Sequence, residues 1–584
     1  MGHRLMVFYL FTMAAPAAAG PIVATLVPAM VRIAQTGTPP GSASLLLYSA
    51  KAETESFQIA IHANGGNLSN VNVSMSDFVG PGTIAKSNVT LYREHFVQLN
   101  TASPGAGWAN APDTMPGNQF TDALIPFLNP ATGQPLTGGA LQAVPYAFPN
   151  GQNMPVWADV AVPRNAAAGL YSATITITSD QGTTTNVVQL HVWNFALPLT
   201  PSLHSAITTD ASAAQATMLL QHRLMPNPSD SASKDATYAA QYGLSNVFAW
   251  PGFWSGVDNG CETPSQPPPS VATFQAEAAR HATGAPIYSY SFDEITNCTG
   301  VFDTVKQWAR NMHQAGIKNL APVGIVPALM DDGSGTGASA IDAWVLLPFQ
   351  FDTDMPLVPT VQAKGNEVWS YNTLTQDPFS PKWEIDYAPI NFRIQAGMIN
   401  QSLGLQGILY WRIDDWVNSD PWTNPYLSIS GGMWAGEGIL VYPGQKVGLP
   451  AGSVVPSMRL KELRKGVDDF EYVQILKNLG QTTWALALIK TIASDWHTWT
   501  RDPAQLETVR EQVGTKIEQL SGGGATACDV SGDGNVNAVD VQLEANQALG
   551  AATCKNDMNQ DHVCNVIDVQ IVATAVVSGT CSHP

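Results

Sequence analysis

The hydrophobic pattern of this 584-residue chain changes period near residue 200, and that change limits its possible folds more than any single motif. From Ile22 to Leu199 apolar and polar residues alternate over short segments such as Ser56–Ile61, Val89–Tyr92 and Ala173–Ile177, with glycine, proline and asparagine clusters between them. Successive side chains on a strand point to opposite faces, so an alternation of period two describes strands buried on one side only. Many such strands at short spacing predict an antiparallel β-sandwich over 22–199. Met154–Pro163 with Ala168–Tyr171 continues the pattern, and Val192–Pro198 reads as the exit strand. No catalytic residues gather here, so this domain reads as a scaffold.

From Ser202 to Asn478 short apolar strands alternate with helical stretches. The strand candidates are Leu244–Trp250, Pro286–Phe292, Leu320–Val323, Ala343–Leu347, Glu367–Tyr371 and Gly407–Trp411; Val301–Ala315 and Ile390–Leu403 carry helical periodicity. Repeated βα units in this length predict a (β/α)8 barrel over 202–478. Residues 479–520 read as further helices, and Ser521–Thr526 as a flexible glycine-rich linker. A small α-helical module, 527–584, completes a multidomain chain of a length that a single core does not reach.

With 45% hydrophobic and 12% charged residues the chain is folded material, and a net charge of -19 argues against nucleic acid or an anionic membrane as partner. Residues 1–19 predict a cleaved signal peptide: His3 and Arg4, the apolar run Leu5–Met13, then small residues Ala14–Ala19. The run is too short to span a bilayer, and no later stretch is long enough, so the mature chain is expected to be secreted or extracellular, without a membrane span. Six cysteines suit that oxidising compartment.

The chemistry is expected at Ile287–Ile295, a buried strand running into Asp293 and Glu294. Mid-strand, adjacent acids would point apart; at the strand's end the chain turns and both can face one ligand, and in a barrel that end is where active sites lie. Trp369 and Tyr371 share a face of their strand, and Trp411, Asp415 and Trp416 crowd another strand end. Flat rings that stack on a sugar's C–H face beside carboxylates that hold its hydroxyls describe a glycan site.

Two segments near the C-terminus align position for position. Asp529, Ser531, Asp533, Asn535, Asn537 and Asp540 match Asp557, Asn559, Asp561, Val563, Asn565 and Asp568 at loop positions 1, 3, 5, 7, 9 and 12. This is the oxygen-donor spacing of an EF-hand-type Ca2+ loop, position 7 lending its backbone carbonyl. His562 stands where the first loop has Gly534, which alters the second turn. The pair resembles a type I dockerin, which implies structural Ca2+ and a cohesin-type protein partner. The four local cysteines allow three pairings; Cys528 with Cys581 would clasp the module's ends, and Cys554 with Cys564 would staple its second loop.

The Val192–Pro198 exit strand, Ser291–Glu294, Val368–Tyr371, Gly407–Trp416 with Asp420–Trp422, Gly436–Gly444 and Met458–Tyr472 together resemble glycoside hydrolase family 123 and its relatives over roughly 22–478. The resemblance implies a β-N-acetylgalactosaminidase with Asp293 orienting the substrate's 2-acetamido group and Glu294 as general acid/base, with no cofactor for catalysis. Ordinary retaining glycosidases flank the anomeric carbon with two separated carboxyl groups, a task for which sequence neighbours are poorly placed. If the acetamido oxygen attacks instead, one acid for the leaving oxygen and a neighbour to hold the amide suffice. The neighbour's charge is expected to raise the acid's pKa and keep Glu294 protonated before cleavage. Two other readings are a glycosidase with Asp415 as nucleophile on a different glycan, and a non-catalytic carbohydrate-binding or assembly protein. Arg459, Arg464, Asp468, Asp469 and Glu471 read as an ion-pair network on an amphipathic helix.

Overall fold

The computed structural model describes residues 22–105, 117–210, 212–228, 231–281, 283–374, 377–416, 419–429, 431–531, 536–559, 561, 563–578 and 581, without the side chains of 522–527 and 578. The expected signal peptide, and Asp533 and Asn535 of the first calcium loop, lie outside the described residues.

The N-terminal sandwich packs two sheets. One is antiparallel throughout, in the order Ile22–Pro28, Thr54–Ala63, Asn153–Ala161, Val89–Gln98, Gln119–Pro126. The other runs Ser44–Lys51, Gly182–Ala196, Gly169–Ser179, Leu68–Met75, Tyr146–Phe148. Its edge strand Ser44–Lys51 pairs parallel to Gly182–Ala196, so the sandwich is not purely antiparallel. Alternation fixes which face is buried but carries no information on strand direction. Phe57, Ile59, Ile61, Val156 and Val160 meet Ile175, Ile177, Val188 and Leu190 in the core.

Eight parallel strands follow: β1 (His204–Thr208), β2 (Pro226–Asn227), β3 (Val247–Phe248), β4 (Ile287–Tyr290), β5 (Ile317–Pro322), β6 (Ala343–Leu346), β7 (Glu367–Asn372) and β8 (Gly407–Tyr410). They hydrogen-bond in the order β2-β1-β8-β7-β6-β5-β4-β3, which closes a barrel except between β2 and β3. Beside that gap the Asn246 side chain accepts from Ser205 N and donates to Ser205 O, both at 3.0 Å, as a strand neighbour would. The helical layer departs from eight full βα units, because only the 3-10 turn Pro327–Leu329 separates β5 from β6. The helix predicted over 390–403 is present, with a π turn at Gln395–Ile399. β1 and β2 have no clear apolar run, and neither is legible in the sequence.

Helix Met458–Asn478 wedges between sandwich and barrel and is buried on nearly every side, not amphipathic. The expected ion-pair network is there, but inside. Arg459 meets Asp122 at 2.8 Å, Lys461 and Arg464 meet Asp159 at 2.8 and 3.2 Å, and Lys465 meets Glu55 at 2.7 Å and also Glu53. Removing one partner of such a buried pair costs about 3–5 kcal/mol, because the other charge is left without compensation. The helix thereby fixes the sandwich against the barrel.

Helices Thr482–Ile489 and Pro503–Cys528 follow, and the second runs through Ser521–Thr526, so the expected linker is helical. The terminal module holds helices Ala538–Ala548 and Val566–Ser578. Disulfides join Cys261 to Cys298, Cys528 to Cys581, and Cys554 to Cys564; of the three possible local pairings the end-clasping one is adopted. Among the described residues no helix is long and apolar enough to cross a membrane.

Candidate active site

β4 delivers its two acids through a single backbone turn. Asp293 N donates to Val257 O at 3.2 Å and Glu294 N to Pro322 O at 2.8 Å, tying the strand's end to the loop after β3 and to the last residue of β5. Glu294 has φ 48° and ψ 32°. This left-handed conformation costs a non-glycine residue about 1–3 kcal/mol and persists only where the surroundings impose it. It keeps both side chains at the barrel's C-terminal mouth while sending them to different neighbours.

Asp293 turns toward aromatic hydroxyls. The hydroxyls of Tyr290, on the inward face of β4, and of Tyr371 both feel the charge of the two acids. Asp293 Oδ1 is buried and has no hydrogen-bond partner among the described residues. Burial first, then the Glu294 charge, push the Asp293 pKa up to about 7. Burial is the larger cause of the elevation at Asp293, ahead of the neighbouring charge.

Glu294 turns the other way. Its Oε2 accepts from Asn259 Nδ2 at 3.2 Å, and the loop carrying Asn259 is tethered just beyond the acid pair by the Cys261–Cys298 disulfide. Glu294 opens on a cavity of about 430 Å3 formed with Asn259, Thr296, Asn297, Gly324 and the segment after β6 that carries Leu347, Phe349, Gln350, Thr353 and Asp354. Asp293 does not line it.

The remaining expected sugar contacts divide. Tyr371 and Trp411 reach the upper part of the barrel, where the Trp411 indole nitrogen donates to Glu437 Oε1 and Thr373 Oγ1 donates to the same oxygen at 3.2 Å. The Trp411 ring lies over Gly438, φ +71°, where a Cβ would come within 2.7 Å of it. Trp369 is fully buried lower in the barrel, its Nε1 donating to Glu367 Oε2 at 2.8 Å, so it is core. It shares a face with Tyr371, as predicted, but two residues along a strand is about 6–7 Å of depth. Trp416 packs against the apolar clusters of the sandwich and the barrel's flank. Asp415 N donates to Gly438 O at 2.9 Å, which places that acid beside the Trp411 ring.

Four residues at the mouth are not singled out by the sequence: Tyr290, Asn259, Glu437 and Trp254, whose ring meets Tyr290 edge-on at 6.2 Å. Tyr290 follows from period two, since it shares a face with the interior residue Tyr288. Glu437 sits in a Gly-Glu-Gly turn with no periodic signal.

In the terminal module, Asp540 accepts from Ser531 N and Asn537 N, each at 2.8 Å, and Asp568 from Met558 N and Asn565 N, each at 2.8 Å. The two position-12 carboxylates thus fold back over their loops in the same way. In the second loop Asp561 N donates to Asp557 Oδ1 at 3.2 Å, and burial with the charges of Asp568 and Asp557 raises Glu544 to about 7. An all-oxygen set with crowded carboxylates suits a hard cation such as Ca2+. Among the described residues no three His, Cys, Asp or Glu side chains stand close enough to hold one unaided.

Comparison with known proteins gives two family matches: the glycoside hydrolase 123 N-terminal domain over residues 41–179 and the glycoside hydrolase 123 catalytic domain over 349–476. Asp293 and Glu294 fall between the two spans. A solved structure of a family 123 glycoside hydrolase from Clostridium perfringens, described for glycolipid glycan hydrolysis, aligns over 85% of this chain and 97% of its own at 13% identity with a TM-score of 0.56. That likeness is one of fold. A putative α-galactosidase from Bacteroides fragilis (11% identity, 65% of each chain, TM-score 0.20) and a β-glucuronidase from Parabacteroides merdae (8%, 67% of this chain and 47% of that one, 0.22) superpose too loosely to carry an argument. No protein of curated function matches the sequence. The chain therefore matches the N-terminal and catalytic domain models of glycoside hydrolase family 123 over these two spans, and its fold is like that of a solved family 123 enzyme.

Proposed function

We propose that this protein is a secreted β-N-acetylhexosaminidase, acting on β-linked N-acetylgalactosamine by a retaining, substrate-assisted mechanism. The observation that carries the reading is the divergence of Asp293 and Glu294 from one left-handed turn, the first toward a partly buried aromatic recess and the second toward an open cavity. In the first step the acetamido oxygen attacks C1 from within the recess, the bond from C1 to the leaving oxygen breaks, and the Glu294 carboxyl proton passes to that oxygen. Asp293 Oδ1, without a hydrogen-bond partner among the described residues, accepts the amide N–H and opposes the positive charge that grows on the closing oxazoline ring. In the second step water attacks C1, gives its proton to Glu294, and the ring oxygen returns to the acetamido group. Two inversions retain the configuration. Trp411 and Tyr371 supply the apolar wall for the sugar.

The C-terminal module is proposed to bind Ca2+ through Asp529, Ser531, Asp533, Asn535, Asn537 and Asp540 and through Asp557, Asn559, Asp561, Val563, Asn565 and Asp568, and to dock a cohesin-type partner. Supporting this, Val539 and Ile567 stand at equivalent positions of the two repeats and are 55% and 46% exposed, and Leu549 and Val577, again equivalent, are 81% and 89% exposed. Apolar residues exposed in pairs by an internal repeat describe a contact surface and not a failed core. Turnover of 4-nitrophenyl β-glycosides with and without the 2-acetamido group tests the catalytic reading.

A further inference from the structure

The cavity beside Glu294 has a chemical character of its own. It is lined from the segments that follow β3, β4, β5 and β6, and Asp293, Tyr290 and Tyr371 do not line it. Amide and hydroxyl groups of Asn259, Asn297, Gln350 and Thr353 line it, and Phe349, 40% exposed, is its one aromatic face. Among the described residues its only charges are the carboxylates of Glu294 and Asp354, and no lysine, arginine or histidine lines it. Asp354 is held in place, Oδ2 accepting from Ile325 N at 2.7 Å. At about 430 Å3 the cavity falls within the ~300–1,000 Å3 typical of small-ligand sites.

We propose that this cavity is the leaving-group subsite, and that it takes a neutral, hydroxyl-rich sugar ring and disfavours one bearing a carboxylate or sulfate. The proposal rests on the function above, since the group leaving C1 must lie on the side of the acid that protonates it. Hydroxyls find donors and acceptors on the asparagine, glutamine and threonine side chains, and one C–H face finds the Phe349 ring. An alkyl chain would leave those polar groups unpaired, which disfavours a purely lipidic leaving group. An anionic ring would meet two carboxylates and no cation in a partly enclosed space, a repulsion of about fivefold or more in kcat/KM.

The test compares three substrates of the N-acetylhexosamine that the wild type turns over: its β-fluoride, whose leaving group does not enter the cavity; a disaccharide with that sugar β-linked to a neutral hexose; and the same disaccharide ending in a hexuronic acid. The wild type is expected to prefer the neutral disaccharide to the acidic one by about fivefold or more. Asp354→Asn, which keeps the acceptor for Ile325 N but removes the charge, is expected to bring that preference below about twofold. Phe349→Ala is expected to lower kcat/KM for the neutral disaccharide about tenfold relative to the fluoride. A wild type indifferent to the acid, an unchanged preference in Asp354→Asn, or equal losses on fluoride and disaccharide in Phe349→Ala would overturn the assignment. Failure of the wild type on the acetamido fluorides would sink the catalytic reading itself and the subsite with it, an outcome distinct from all of these.

Discussion

The indole N–H of Trp411 donates to a Glu437 carboxylate that has no solvent exposure, so the orientation of the ring at the barrel mouth is set from beneath by a buried acid. Enclosed in this way, Glu437 does not meet the sugar itself; it acts through Trp411 as a positioning residue. Glu437→Gln keeps an acceptor and is expected to retain most activity. Glu437→Ala frees the ring and is expected to lower kcat/KM about tenfold or more, chiefly through KM, with altered tryptophan fluorescence. Equal activity of the two variants would contradict this role.

The pH profile follows from Asp293. Its pKa is raised to about 7, so the carboxylate that receives the amide N–H is lost as pH falls through that value. The acid limb of kcat/KM is therefore expected near pH 7, reported for the coupled pair. In Glu294→Gln, assayed on a β-fluoride that needs little acid assistance, the limb is expected to move down because one neighbouring charge is gone. It is also expected to stay above the usual aspartate range, because burial is the larger cause. An unmoved limb would assign it to another group.

Glu462 gives a stability prediction with a definite sign. It is fully buried on the wedge helix, neither carboxyl oxygen has a hydrogen-bond partner among the described residues, and burial pushes its pKa up to about 8. The folded state then holds this proton more tightly than the unfolded one, so its contribution is complete below about pH 4.5 and declines as pH rises toward 8. Glu462→Gln is expected to raise Tm over wild type more at about pH 8.5 than at about pH 5, read by thermal melts at both values.

Calcium should act on the tail alone. Titrating Ca2+ into the full chain after chelation is expected to protect the 527–584 module from proteolysis and leave glycosidase turnover unchanged. Asp540→Ala with Asp568→Ala is expected to abolish the protection, since both position-12 carboxylates are lost. Protection that survives the double variant would move the ion elsewhere.

Much of this architecture is legible in the residues, and the exceptions share physical causes. The Asp293–Glu294 strand end, Tyr371 and Trp411 are legible because a strand's end and face can be read from period two. Trp369 is not, because periodicity gives the face and not the depth: it lies one layer below Tyr371, bonded to Glu367. The helix Met458–Asn478 reads as amphipathic when its charges are assigned to solvent, whereas Arg459, Lys461, Arg464 and Lys465 all meet acids of the sandwich, distant in sequence. β2 is two residues long, too short for any pattern. Glu437 and Phe349 sit in segments without strand periodicity, where only the folded barrel shows what they face. The αL turn at Glu294 is equally hidden, since glutamate gives no local signal for that conformation.

The account stands or falls on the acetamido group. Purified full-length protein assayed on 4-nitrophenyl β-N-acetylgalactosaminide and on 4-nitrophenyl β-galactoside should cleave only the first, and Glu294→Gln should lose about 10²–10⁴-fold on an unactivated disaccharide. Comparable cleavage of the galactoside, accompanied by covalent trapping of an enzyme carboxylate such as Asp415, would contradict it.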